Sequence, residues 1–163
     1  MQFAPAKFEL VHFTRSRTKF NLSASIQVQE LTLHPKTEVR VLGVWLDTKL
    51  QWSAHARYTL ARAKGQAAVF DRLVKSTWGP TFRASRQLYT SIARPTMAYG
   101  ASAWFEHAKP SVLTEKLKRV QSRCLRLVSG AYKATPIHIL EAELFVPPID
   151  LYLVEQVQVF RNQ

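Results

Sequence analysis

The sequence contains few cysteines, few acidic residues and no long apolar run. Cys124 is the only cysteine among 163 residues, so no disulfide can form within the chain and a reducing compartment is expected. No apolar run approaches the roughly 18 residues of a membrane span, and the N-terminal stretch MQFAPAKFEL has no secretory signal pattern. These absences predict an intracellular protein, nuclear or cytoplasmic, that is not secreted.

The residue patterns that mark most enzyme centres are also absent from the sequence. There is no phosphate-cradling glycine loop and no nucleophile elbow. The five histidines are scattered, and none is paired with Cys124 at the spacing of zinc ligands. The carboxylates of the first third do not cluster as a two-metal site requires; they are Glu9, Glu30, Glu38 and Asp47. No metal site and no cofactor is therefore expected for this chain.

Basic residues outnumber acidic ones by 23 to 11, which leaves a net charge of +12. Such an excess points to a polyanionic partner, most often nucleic acid or an acidic membrane surface. There are nine basic residues and one acid between Lys49 and Arg94, and seven and one between Lys109 and Lys133. The chain then turns acidic, which favours packing of its last part against another part of a larger protein.

Strand-like alternation occupies the first third of the chain. It is found in four stretches, which are Lys7–Phe13, Ile26–Val28, Leu31–Leu33 and Val39–Asp47. They predict a small antiparallel sheet of three or four strands. The segment VLGVWLDTKLQW, residues 41–52, predicts a tight hairpin with its turn at Asp47-Thr48. Gly43 would then lie in mid-strand, either as a packing glycine of a structural hairpin or where another backbone approaches closely.

From residue 53 onward, apolar residues recur three and four positions apart, as in amphipathic helices. Cap and breaker residues delimit these helices. They are Ser53, Gly79-Pro80, Thr81, Pro95, Ser111 and Gly130. The sequence thus predicts an α+β fold in which a small antiparallel sheet or hairpin precedes a mainly helical bundle. We expect three regions, 1–52, 53–108 and 109–163, and both ends look cut, as in a piece of a larger protein.

Two predicted helices carry basic residues at helical spacing. In residues 111–130 a basic stripe runs beside an apolar one, so one edge can be buried while the other faces phosphates. The candidate nucleic-acid contacts are Arg57, Lys64, Lys75, Arg83, Arg86, Lys116, Arg119, Arg123 and Arg126. Taken singly, each is more simply explained as part of a solvated helix face. Pairing with acids such as Glu141 and Glu143 is a further alternative.

Four segments, taken in order, carry a resemblance to a known family. They are FAPAKFELVHF, VRVLGVWLDTKLQWSAH, QLYTSIARPTMAYGASAWF and RVQSRCLRLVSGAYKATPIHILEAELFVPPIDLYL. The first two resemble segments D and E of reverse transcriptases from non-LTR (LINE-type) retrotransposons. The third resembles the thumb run of that family, LY-x-x-(hydrophobic)-x-P-x-x-x-YG-x-x-x-W. The fourth resembles its connector, which precedes a ribonuclease H domain in many members.

The resemblance implies roles for particular residues. Lys7 matches the segment D lysine, which is proposed to protonate the leaving pyrophosphate, although Ala4 stands where many relatives have Asn. Segment E is the primer grip, which holds the primer 3′ end. Here it falls on Leu42, Gly43, Val44, Trp45, Leu46 and Asp47. The helices up to about Gly130 would be the thumb and connector, lying along a duplex of RNA template and DNA primer.

The resemblance also places the polymerase centre outside this chain. The metal-binding aspartates of the family lie upstream of segment D, and the ribonuclease H carboxylates lie beyond the connector. Mg²⁺ is therefore expected only in the full-length polymerase, and this chain is expected not to polymerise alone. Its partners would be the template–primer duplex and the palm, fingers and ribonuclease H parts, with no membrane partner. Two alternatives stay open: a self-standing basic helical module that binds RNA or DNA, and a retroelement remnant without function.

Overall fold

The computed structural model describes residues 8–16, 18, 21, 23–28, 31–74, 79–108 and 111–162. The chain divides into two compact units, Met1–Arg57 and Tyr58–Gln163. Small antiparallel sheets in the first unit precede helices α1 to α7, so the predicted α+β class is confirmed. None of the helices in the described ranges is long and apolar enough to cross a membrane.

The strands form two separate two-stranded sheets rather than the predicted sheet of three or four strands. Strand β1 (Ile26–Val28) pairs with β2 (Leu31–Leu33), and β3 (Glu38–Val41) pairs with β4 (Val44–Asp47), both antiparallel. The strand predicted over residues 7–13 is wrong for its described part, where Leu10 makes only an isolated bridge to Pro35. Alternation identifies an apolar face but does not supply a partner edge, and a strand needs both.

The hairpin predicted within residues 41–52 is built from different residues. Its turn is Leu42-Gly43, with φ of 47° and 86°, and it connects β3 directly to β4. Positive φ at both central residues is the pattern of the two-residue turns that match strand twist. A turn does follow Asp47, where the Leu50 N–H donates to the Asp47 carbonyl at 2.9 Å, but it leads to the helix that begins at Ser53 and does not close the hairpin. Gly43 lies in the hairpin turn, so its predicted mid-strand position is wrong. Gly43 serves the turn because it adopts positive φ without a steric penalty.

Helix α1 (Ser53–Leu73) begins where the sequence predicts, and Ala63, Ala67 and Phe70 of its apolar stripe are buried. Helix α2 (Phe82–Leu88) has the expected cap, because the Thr81 hydroxyl accepts a hydrogen bond from the Ala84 N–H at 3.3 Å. A π-helical turn (Tyr89–Ala93) then leads into α3 (Arg94–Ala98). Pro95 thus does not stop the helix. Proline has no N–H to donate, and the wider π-helical turn that precedes Pro95 accommodates it.

The short helix α4 (Ala101–Trp104) follows Gly100, and α5 (Val112–Ser129) is the centre of the second unit. Both predicted caps of α5 are confirmed: the Ser111 hydroxyl accepts from the Leu113 N–H at 3.2 Å, and Gly130 ends the helix with φ of 66°. Helices α6 (Ile137–Glu143) and α7 (Ile149–Arg161) pack against α5. The core includes fully buried Leu117, Cys124, Leu125 and Leu153.

Candidate nucleic-acid interface

The side chain of Asp47 connects the end of β4 to the beginning of α1 by hydrogen bonds. Its side chain is buried and accepts hydrogen bonds from the N–H groups of Lys49, Gln51 and Ser53 at 3.2, 2.8 and 3.0 Å. The Ser53 hydroxyl donates a fourth at 3.2 Å. Burial raises the pKa of the Asp47 carboxyl, but these hydrogen bonds lower it by more, so the pKa lies below its ordinary value. Asp47 therefore acts as a charged structural anchor at a helix N-terminus.

The other segment E residues lie on the hairpin that Asp47 anchors. Leu42 is at its tip and 90% exposed, whereas Val44, Trp45 and Leu46 are half-buried along β4. The backbone N–H of Trp45 donates to Nδ1 of buried His55 at 3.4 Å. The structure thus brings the six predicted primer-grip residues together on one hairpin, and their contact with a primer remains a prediction. Lys7 lies outside the described residues.

Two of the predicted phosphate-binding arginines contact backbone carbonyl groups, and their contact with phosphates stays a prediction. Arg86 donates to the carbonyls of Leu144, at 2.5 Å, and Phe145, at 3.2 Å, at the end of α6. Arg126 donates to the carbonyl and hydroxyl of Ser122 and, at 2.9 Å, to the carbonyl of Thr135. Basic side chains are suitable donors to carbonyls that receive no hydrogen bond from an N–H within a helix. Sequence reasoning missed both structural roles, because the carbonyls of Thr135, Leu144 and Phe145 lie 9 to 59 residues away in the chain.

Two further predicted contacts form exposed ion pairs. Arg57 donates to both carboxylate oxygens of Glu38 at 2.6 and 2.7 Å, within the first unit. Arg123 pairs with Asp71 at 3.3 Å, and both side chains are more than 40% exposed. The predicted pairing of arginines with Glu141 and Glu143 is not seen among the described residues. An exposed pair such as that of Arg123 with Asp71 contributes little to stability.

The remaining described candidates are exposed and unpaired. No hydrogen bond or ion pair joins them to any described residue, and they are Lys64, Arg83, Lys116 and Arg119. Lys75 lies outside the described residues. On α5, Lys116, Arg119 and Arg123 are spaced three and four apart, so they share one edge of the helix. We call these three residues the basic edge of α5.

A buried polar chain crosses the second unit and was not predicted. The Tyr89 hydroxyl donates to Oε1 of Gln121 at 2.8 Å, and Nε2 of Gln121 donates to Glu141 at 2.9 Å and to the Pro147 carbonyl at 3.2 Å. Burial is the main reason that the pKa of Tyr89 is raised. The available signal was the position of Gln121, four residues after Leu117 on the buried face of α5.

Aromatic groups fix two other parts of the same unit. The Trp104 indole donates to the Tyr99 carbonyl at 3.0 Å, across the turn at Gly100, which has φ of 67°. The guanidinium of buried Arg94 lies 3.8 Å from the centre of the Tyr152 ring. Burial lowers the pKa of Arg94, and an aromatic face partly compensates a desolvated cation. Both features link neighbouring parts of the second unit.

The chain is similar to curated proteins of retrotransposons. It is 30% identical over 114 residues to "Retrovirus-related Pol polyprotein from type-1 retrotransposable element R1" of Bradysia coprophila, covering 68% of this chain and 11% of the relative. This chain is related to non-LTR retrotransposon Pol proteins. It is also 24% identical over 125 residues to "Probable RNA-directed DNA polymerase from transposon BS" of Drosophila melanogaster, covering 75% and 14%.

A third relative of this Pol-related chain is "Retrovirus-related Pol polyprotein from type-1 retrotransposable element R1 4" of Nasonia vitripennis, 29% identical over 98 residues. The match covers 60% of the chain and 24% of the relative. The chain therefore spans between a tenth and a quarter of the length of these relatives. No protein-family profile and no solved structure matches it. The resemblance to reverse transcriptases is confirmed by these relatives.

Proposed function

We propose that this chain is the palm edge, thumb and connector of a reverse transcriptase and that it binds template–primer nucleic acid. The observation that carries the proposal is the basic edge of α5. Its residues, Lys116, Arg119 and Arg123, are exposed, while Leu117 and Cys124 on the adjacent face are fully buried. A helix held by its core presents these cations at fixed spacing. Phosphate backbones are the polyanions that such an array suits.

Binding, and not nucleotide transfer, is the activity we assign to the chain itself. Transfer requires carboxylates that hold two metal ions, and the resemblance places those aspartates upstream of segment D. Within the described ranges, no three His, Cys, Asp or Glu residues are grouped so that they could hold a metal ion. Mg²⁺ would act in the polymerase that carries the aspartates. The palm, fingers and ribonuclease H parts are the proposed protein partners, in the nucleus or cytoplasm.

A self-standing RNA- or DNA-binding module is the second candidate. The second unit favours it, because residues Tyr58–Gln163 have an apolar core and a buried polar chain of their own. A cooperative thermal melt of the isolated chain, followed by circular dichroism, would support this candidate. A shallow melt would support a region that depends on the rest of a polymerase, because missing partners would leave apolar surface exposed.

The salt dependence of binding tests the proposed function. Fluorescence anisotropy would measure the affinity of the chain for a labelled RNA–DNA hybrid duplex between about 50 and 200 mM salt. Replacing Lys116→Gln together with Arg119→Gln removes two unpaired charges. We expect the slope of log affinity against log salt to fall by up to about two units, because each lost phosphate contact removes about one.

The matched control removes two charges from other exposed positions, Arg15→Gln and Arg161→Gln. It should leave the slope close to that of the unchanged chain. Equal slopes for both double variants would contradict the role of the basic edge, and a flat salt response of the unchanged chain would contradict nucleic-acid binding altogether. Template-dependent nucleotide incorporation by the chain alone, with magnesium, would contradict the non-catalytic assignment.

A further inference from the structure

A basic pocket lies where the C-terminal half of α5 meets the loop that follows it. Its volume is about 500 Å³, within the roughly 300–1,000 Å³ of small-molecule sites. Leu127 and Ala131 provide apolar lining. The charged lining consists of four cations, Arg119, Arg123, Arg126 and Lys133. Such a concentration of one charge in a concave surface favours an anionic group.

The positive charge of this pocket is poorly compensated within the chain. Arg119 and Lys133 have no ion-pair partner among the described residues, and Arg123 has only its exposed contact with Asp71. Arg126 donates to neutral oxygens of Ser122 and Thr135, so these contacts do not neutralise its positive charge. Its Nε–H is buried and has no acceptor in the part of the chain that the structure describes. An incoming phosphate would therefore meet cations of which only Arg123 is paired with a carboxylate among the described residues.

An exposed aromatic residue lies next to these pocket-lining residues in the chain. Tyr132 lies between two pocket-lining residues, Ala131 and Lys133, and is 86% exposed. The loop that carries it is ordered by backbone hydrogen bonds, from Ala131 N–H to the Arg126 carbonyl at 3.1 Å and from Thr135 N–H to the Tyr132 carbonyl at 3.0 Å. The ring therefore contributes little to the core but is presented on a fixed turn, which reduces the entropy lost when a ligand binds.

We infer that this pocket and Tyr132 form a binding site for single-stranded nucleic acid, with cations on the phosphates and the Tyr132 ring stacked on a base. A groove of cations beside an exposed aromatic ring is the combination that binds single strands. Bases of a duplex are already stacked on each other, so a duplex gains the phosphate contacts but not the stacking. The inference rests on the proposed function and adds a preference for an unpaired segment, such as a template strand beyond the duplex.

Anisotropy with two probes tests this site on the full chain: a labelled oligouridine of about 12 nucleotides and a hybrid duplex of the same length. Tyr132→Ala should weaken single-strand binding by about fivefold or more, because a stacked base is lost. Tyr132→Phe should retain the affinity, since it keeps the ring. Neither change should alter duplex binding, and circular dichroism would verify that the fold is intact at this exposed position.

Charge removal supplies the second arm. Lys133→Gln should reduce the salt slope for oligouridine by about one unit, whereas Arg161→Gln, at an exposed position at the end of α7, should leave it unchanged. The inference is overturned if Tyr132→Ala leaves single-strand affinity unchanged or weakens both probes equally. If the chain binds the duplex and Tyr132→Ala leaves its affinity for oligouridine unchanged, this site is overturned and the proposed function stands. If the chain binds the single strand and not the duplex, the proposed duplex binding is overturned and this site stands.

Discussion

The two units of this chain are stabilised by different means. In the described part of Met1–Arg57, the buried side chains are Asp47, Ala54 and His55, which are polar or small. In Tyr58–Gln163 the buried side chains include many leucines and valines around α5. The first unit therefore depends on a few hydrogen bonds that lock short strands to a helix end, and the second depends mainly on apolar burial. A single carboxylate should matter most in one, and a single leucine in the other.

A second comparison is between residues that form hydrogen bonds within the chain and cations that do not. Motif residues in both units form bonds within the chain: Asp47 at the hairpin, Trp104 after its turn, and Gln121 and Arg126 on α5. The basic edge of α5 lies outside these internal bonds, apart from the weak pair made by Arg123. Several residues of the resembling segments thus maintain the fold, and the basic edge proposed to bind nucleic acid lies beside Gln121 and Arg126 on the same helix.

The largest expected effect comes from a charge in the core of the second unit. Leu117 is fully buried, and Leu117→Asp would bring a carboxylate into an apolar seam. We expect the free energy of unfolding to fall by about 4 kcal/mol or more, enough to unfold the bundle. Urea denaturation followed by circular dichroism measures it. The neighbouring exposed change Lys116→Ala should stay within about 0.5 kcal/mol. A stable Leu117→Asp variant would show that apolar burial is not what holds this unit.

A smaller loss is expected from the buried polar chain. Gln121→Ala removes three hydrogen bonds and leaves the Tyr89 hydroxyl without its acceptor. Together with the cavity, this should lower the free energy of unfolding by about 2–4 kcal/mol. Tyr89→Phe, which removes one hydroxyl, should lower it by about 1 kcal/mol. If both changes were as mild as surface substitutions, the polar chain would contribute no stability, and apolar burial alone would account for the unit.

The smallest of the three effects is expected in the first unit. Asp47→Asn weakens the bonds to the N–H groups of Gln51 and Ser53, which should lower stability by about 1–2 kcal/mol at neutral pH. Hydrogen exchange of these two amides should quicken before that of the α5 core. Asp71→Asn, which removes only an exposed ion pair, is the control and should change stability by less than about 1 kcal/mol.

The pH dependence separates charge from shape at Asp47. Its pKa is lower in the folded than in the unfolded chain, so its stabilisation is fully present above the unfolded pKa of about 4. That stabilisation is lost as the pH falls through the lower, folded pKa. The stability difference between the unchanged chain and Asp47→Asn should therefore be constant near neutrality and shrink in acid. A difference that does not change with pH would mean that the negative charge is unimportant.

Local rules predicted much of the helical unit. Thr81, Ser111 and Gly130 cap helices because their side chains or their allowed φ act on neighbours one turn away. The predicted apolar stripe is buried at Leu113, Leu117, Val120 and Cys124, whereas Leu127 at its end is only half-buried. The strands were harder, since alternation over residues 8–13 could not reveal that no partner strand lies alongside them among the described residues.

By itself, the sequence determined the excess of positive charge, the order of strands and helices, and the faces of the long helices, because these depend on composition and on neighbours within a few residues. Only the tertiary structure decided which cations are free. Arg126 and Arg119 lie on the same helix, yet Arg126 holds the Thr135 carbonyl and Arg119 faces solvent. The turn at Leu42-Gly43 was decided in the same way, because the pairing of β3 with β4 sets Val41 opposite Val44 and leaves these two residues between them. Helical spacing assigns a residue to a face, but its hydrogen-bond partner comes from whatever part of the chain folds against that face.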